Sequence, residues 1–159
     1  MKAAAWAWAL LLAGCARGDG EQAEAVAGQA AKVLPVTIAG PGGRHVFQAE
    51  VAGTAAQQEQ GLMYRTDLRP DGGMLFWPYP PDGGPPRAAT FWMKNTPTPL
   101  DIIFIRADGT VAHIAENAVP FSEAMIPSGE PIAAVLEVVG GRTAETGIGE
   151  GDKVSWPGR

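Results

Sequence analysis

The stretch Phe91–Ile105, FWMKNTPTPLDIIFI, sets Lys94, Asn95 and Asp101 between two runs of aromatic and aliphatic residues. The second run, Leu100–Ile105, is short, β-branched and bounded by Pro99 and Asp108-Gly109, which are the marks of a strand leading into a tight turn. Working outward, strand signals recur at Val33–Ile38, Arg44–Val51, Gly73–Phe76, Ala89–Met93, Thr110–Ala115, Ile132–Val139 and Lys153–Trp156. Asp108-Gly109 suits a hairpin because such turns need positive φ, and Ala39–Arg44 (AGPGGR) reads as a second one. One helix is expected from Thr54, where Thr54 and Gln57 have the spacing of a capping box and Gly61 supplies a stop. A further helical turn fits Thr143–Gly147. The fold expected is mostly β: a single compact β-sandwich or partly open barrel with one or two short helices.

The N-terminus reads differently. Met1-Lys2, an apolar run and Leu12–Cys15 (LAGC) have the layout of a secretory signal, too short to span a bilayer. The chain has one cysteine, Cys15, so no internal disulfide can form. LAGC resembles the bacterial lipobox, which implies a signal peptide over residues 1–14, lipidation of Cys15, and a flexible spacer over residues 15–32 before a domain at residues 33–157. The expected location is the cell envelope, on the periplasmic or outer face of a membrane and held only by the lipid. Loss of Met1–Gly14 removes Lys2 and leaves eleven basic against seventeen acidic residues, a formal charge of −6. Without a basic cluster, a nucleic-acid partner is not expected.

Several stretches together resemble one family: QEQGLMYR (Gln58–Arg65), GMLF (Gly73–Phe76), FWMKNT with PLDIIFI (Phe91–Ile105), IPS (Ile126–Ser128), VLE (Val135–Glu137) and GIGEGDKV (Gly147–Val154). Their order and spacing are similar to DUF192, a family of small β-rich domains whose resemblance implies architecture and very little chemistry. The proline-rich Trp77–Ala88, with five prolines and two glycines, departs from the family pattern and reads as a long surface loop.

At period two, Asp101 shares a face with Ile103 and Ile105, and Glu137 with Val135 and Val139. Lys94 shares a face with Thr90 and Trp92, while Arg65 follows the apolar GLMY. A buried charge must be paired, bind an ion or stay wet. Two cations and two anions sum to zero, which fits an internal network of Lys94 and Arg65 against Asp101 and Glu137, with Asn95 and Thr96 adding hydrogen bonds. The same residues fit a site for a small polar ligand or saccharide: Arg65, Trp92, Lys94, Asn95, Asp101 and Glu137 on an aromatic platform. Asp101 and Glu137 together also suggest a carboxylate-dependent glycan hydrolase, although cationic partners would keep both ionised and poor as acids. A scaffolding role without a ligand is a third reading. His45 and His113 lie on separate strands, so no metal is expected. Ser128 stands outside any nucleophile-elbow pattern, the late glycines precede a strand rather than a helix, and no cofactor is expected.

Overall fold

A computed structural model describes residues 31–159 of the chain. The expected signal peptide, Cys15 and nearly all of the spacer lie outside the described residues.

Among the described residues nine strands and two short helices follow one another: β1 (Val33–Gly40), β2 (Gly43–Ala52), α1 (Ala55–Gln60), β3 (Gly72–Phe76), β4 (Arg87–Phe91), β5 (Leu100–Ile105), β6 (Val111–Ala118), β7 (Ile126–Ile132), β8 (Ala134–Val139), α2 (Arg142–Thr146) and β9 (Lys153–Ser155). Seven strands make one sheet in the order β6-β5-β8-β3-β2-β1-β9, and β4 with β7 makes a second. The large sheet curls. Its two ends meet where Thr110 bridges Lys153, with Val154 N–H donating to the Gly109 carbonyl (2.7 Å) and Val111 N–H to that of Asp152 (2.9 Å). The result is a half-barrel, the partly open form of the expected architecture.

Both expected hairpins form. Gly109 takes φ +84° in the β5–β6 turn, where the Asp108 side chain accepts from the Thr110 amide at 2.9 Å. The capping box is complete: Thr54 accepts from the Gln57 amide, and Gln57 accepts from the Thr54 amide. One pairing runs against a simple hairpin series. β2 and β3 are parallel, with Ala52 opposite Phe76, because the segment between them carries α1 across and returns the chain in the same direction.

β3, β5 and β8 are buried on both faces, which explains why their apolar runs are interrupted only by Asp101 and Glu137. Inside the curl, Val36, Ile38, Phe47, Leu75, Ile103 and Leu136 form one core. On the outer face, Phe76, Met93, Leu100, Ile102, Phe104 and Ile132 form another beneath the small sheet.

β7 departs from the expected strands, as does the division of Ile132–Val139 at Ala133. The sequence IPSGEPI carries Pro127 and Pro131, opposite Thr90 and Ala88 of β4. Prolines are tolerated there because β7 needs ladder bonds on few of its positions. At the irregularity between Ala88 and Thr90 the buried Ser128 hydroxyl accepts from the Ala89 amide (2.9 Å) and donates to the Glu130 carbonyl (2.7 Å). Ser128 is thereby a substitute for a ladder bond.

Candidate functional site

Asp101 and Glu137 stand on adjacent strands, β5 and β8, but their registers differ by one. Asp101 lies opposite Val138, and Glu137 opposite Ile102. Directly paired residues share a face, and successive residues alternate, so the two carboxyls are on opposite faces of the sheet. The hydrolase that needed both on one substrate is therefore contradicted by the register.

Asp101 is fully buried. One carboxyl oxygen accepts from the Asn117 (2.8 Å) and Gly141 (2.9 Å) amides, and the other from the Thr143 amide and hydroxyl, both at 2.8 Å. Those four donors use the acceptor positions of an ionised carboxylate. The side chain ties β5 to β6 and to the start of α2 without any cation. Arg65 is likewise engaged elsewhere: it binds Glu50 (3.1 Å) and Asp67 (2.7 Å), which hold its guanidinium pKa well above the usual value. No ion pair among the described residues includes Lys94, Asp101 or Glu137. The expected neutral network does not form, because register and the nearer acids Glu50 and Asp67 separate its members.

Four of the six expected residues, Trp92, Lys94, Asn95 and Glu137, do line one cleft of about 930 Å³. One wall is α1 and the turn after it, from Gln58 to Tyr64; the other is the end of β4 and the turn Lys94–Thr96. Tyr79, from the proline-rich loop, closes part of the rim, and Phe76 forms the apolar floor beside Glu137. Phe91 packs edge-on against Phe76 with centroids 5.3 Å apart, fixing that floor.

Glu137 is 5 % exposed and makes no side-chain hydrogen bond among the described residues. Burial without a partner favours the neutral acid and pushes its pKa up to about 8. Gln58 donates to the Ala52 (2.9 Å) and Pro78 (2.8 Å) carbonyls, while its own Oε1 is buried and unpaired. Lys94 sets its ammonium over Trp92, 4.9 Å from the ring centroid. Glu59 adds one exposed carboxylate, and Tyr64 and Tyr79 bring the remaining titratable groups.

The rim is held in unusual backbone. Tyr64 (φ +65°), Asn95 (φ +55°) and Phe121 (φ +59°) occupy the left-handed region. Tyr64 N–H donates to the Asn95 carbonyl at 2.8 Å, and Phe121 N–H to that of Thr96 at 3.1 Å, so the three brace one turn. Such conformations cost of order 1–3 kcal/mol for a side-chain-bearing residue and gather at functional sites.

Gln58 escaped the sequence reading as a site residue, where it entered only as the first residue of QEQGLMYR. Its place in QEQG, one residue after the capping Gln57, was the available signal. The two histidines stay apart: His45 lies near the Gly42 carbonyl, and His113 near Glu150. Among the described residues no cluster of His, Cys, Asp or Glu has the makings of a metal site.

The comparisons agree with this architecture. The model of the family DUF192, described as Uncharacterized ACR, matches residues 36–156. A crystal structure of a protein of unknown function from Novosphingobium aromaticivorans is 51 % identical, with a TM-score of 0.73, covering 78 % of this chain and 85 % of that one. A crystal structure of a putative transcription regulator from Sinorhizobium meliloti is 43 % identical, with a TM-score of 0.75, covering 82 % of this chain and 98 % of that one. No curated protein matches the chain.

Proposed function

The chain belongs to the DUF192 family, and from its own geometry we propose that it is a non-enzymatic binding domain whose cleft holds a small polar ligand, most simply a saccharide unit. The observation that carries this is Glu137: a carboxyl sunk in an apolar floor, facing a cleft, with no partner among the described residues. Burying such a group costs stability unless something hydrogen-bonds to it. No side chain or amide among the described residues hydrogen-bonds to it, whereas Asp101 on the other face is saturated. Aromatic rings at Trp92, Tyr79 and Tyr64 offer flat faces for the C–H surface of a sugar, and Lys94 supplies a donor at the rim.

A nucleic-acid role draws no support from the charge distribution. Arg65, Arg69, Arg87, Arg106 and Arg142 each pair with a carboxylate, and the chain is net acidic. The putative transcription regulator among the similar structures therefore does not redirect the reading. We also propose that the domain works at the cell envelope, tethered through lipid on Cys15; the LAGC motif supports this. No helix among the described residues is long and apolar enough to cross a membrane. Cys15→Ala should release the protein from the membrane fraction or stop its maturation, and unchanged fractionation would refute the tether.

The binding reading is tested by amide and indole NMR spectra of the domain titrated with neutral mono- and disaccharides near pH 6. Shifts should concentrate at Trp92, Lys94 and Glu137 and vanish in Trp92→Ala. Absence of shifts, or shifts gathered instead around Arg65 and Glu50, would reject it.

A further inference from the structure

We propose that the cleft recognises an acetamido group, and that its ligand is an N-acetylated amino sugar. This rests on the binding reading above and specifies its chemistry. Among the described residues two polar groups of the cleft lining, the Glu137 carboxyl and Gln58 Oε1, lack hydrogen-bond partners, and they are of opposite kinds. The buried Glu137 carboxyl, its pKa pushed up to about 8 by burial, offers an O–H donor below that value, and the buried Gln58 Oε1 is an acceptor only. The two do not hydrogen-bond to each other. Gln58 is fastened over Ala52, the β2 partner of Phe76, while Glu137 lies opposite Met74, two residues back along β3 on the same face as Phe76. Both line the same cleft as Phe76.

One small group meets all three demands. A secondary amide has an N–H and a C=O on opposite edges, one for Gln58 and one for Glu137. The methyl of an acetamido group is apolar and fits against Phe76 and Phe91. The aromatic rim, with Trp92 39 % exposed and Tyr64 71 % exposed, favours a sugar ring over a flexible acetylated side chain.

The test compares N,N′-diacetylchitobiose with cellobiose, which carries hydroxyls in place of the acetamido groups, by calorimetry or NMR titration at pH 6. The parent domain should prefer the N-acetylated disaccharide by about tenfold or more, the worth of one or two buried hydrogen bonds. Glu137→Leu should lower that preference to about twofold, and Glu137→Gln, which keeps a donor, should retain it. Equal affinity for both disaccharides, or a preference that survives Glu137→Leu, would overturn the acetamido assignment while leaving a saccharide cleft. An Nε-acetyl-lysine peptide that binds as tightly as the chitobiose would overturn the sugar class. If neither disaccharide binds, the saccharide reading fails and this inference with it.

Discussion

Asp101 and Glu137 have the same functional group, sit on neighbouring strands and are both buried, yet they do opposite work. Four donors surround Asp101, so replacing it with asparagine turns one acceptor oxygen into a donor facing other donors. Asp101→Asn should therefore cost about 2–5 kcal/mol and lower the melting temperature by about 10 °C or more. A loss under about 1 kcal/mol in a denaturant titration would mean the knot is not structural. Glu137 behaves in the reverse sense. Its folded pKa of about 8 lies above the ordinary 4.5, so between those values the unfolded chain sheds the proton first. The stability associated with Glu137 is intact below pH 4.5 and declines as pH rises toward 8. Glu137→Gln has no such titration. Its melting curve should match the parent near pH 4 and sit progressively higher toward pH 8, by about 1.4 kcal/mol per pH unit at most. Parallel stability profiles for the two proteins would show that Glu137 is not buried as an acid.

At the scale of elements, much was legible because the signals are local. Turn chemistry at Asp108-Gly109 and the Thr54–Gln57 box each depend on residues within a few positions, and both form. Period two placed Asp101 with Ile103 and Ile105 correctly, since alternation belongs to the strand itself. What failed was the step between strands. Register decides which faces meet, and the one-residue offset between Asp101 and Glu137 is written in no single strand. β7 was hidden for another reason: its prolines and glycine carry turn signals, and only its pairing with β4 makes it a strand. The site itself was half legible. Trp92, Lys94, Asn95 and Glu137 converge, but Arg65 and Asp101 were drawn in by a charge balance that nearer partners satisfy. The strained rim was invisible in the sequence, and it invites its own test. Tyr64 is exposed and left-handed, so Tyr64→Gly should be more stable than Tyr64→Ala by about 1 kcal/mol, while both weaken saccharide binding. An alanine variant as stable as the glycine one would remove the case for strain.

Over the whole molecule, the curled sheet explains why there is a cleft at all. The sheet has two apolar faces, and curling lets it cover the inner one with its own strands. The outer face of β3, β5 and β8 needs a separate cover, which β4, β7 and the turn after α1 at Leu62 supply incompletely. The gap between these covers opens onto Phe76 and Glu137, so an uncovered patch of a second core becomes a cavity with one acid at its base. A half-barrel that only supported other proteins would gain stability by placing leucine there. The claim on which the account turns is thus that Glu137 stands neutral in the cleft and is used by a ligand. The most direct measurement is the carboxyl ¹³C shift of Glu137 followed across pH 4–10, with and without N,N′-diacetylchitobiose. The expected midpoint is about 8 for the free domain, and it should move higher with the disaccharide, because a ligand that accepts from the acid binds the protonated form more tightly. A midpoint near the ordinary 4.5, or one that the disaccharide leaves unmoved, would contradict the account.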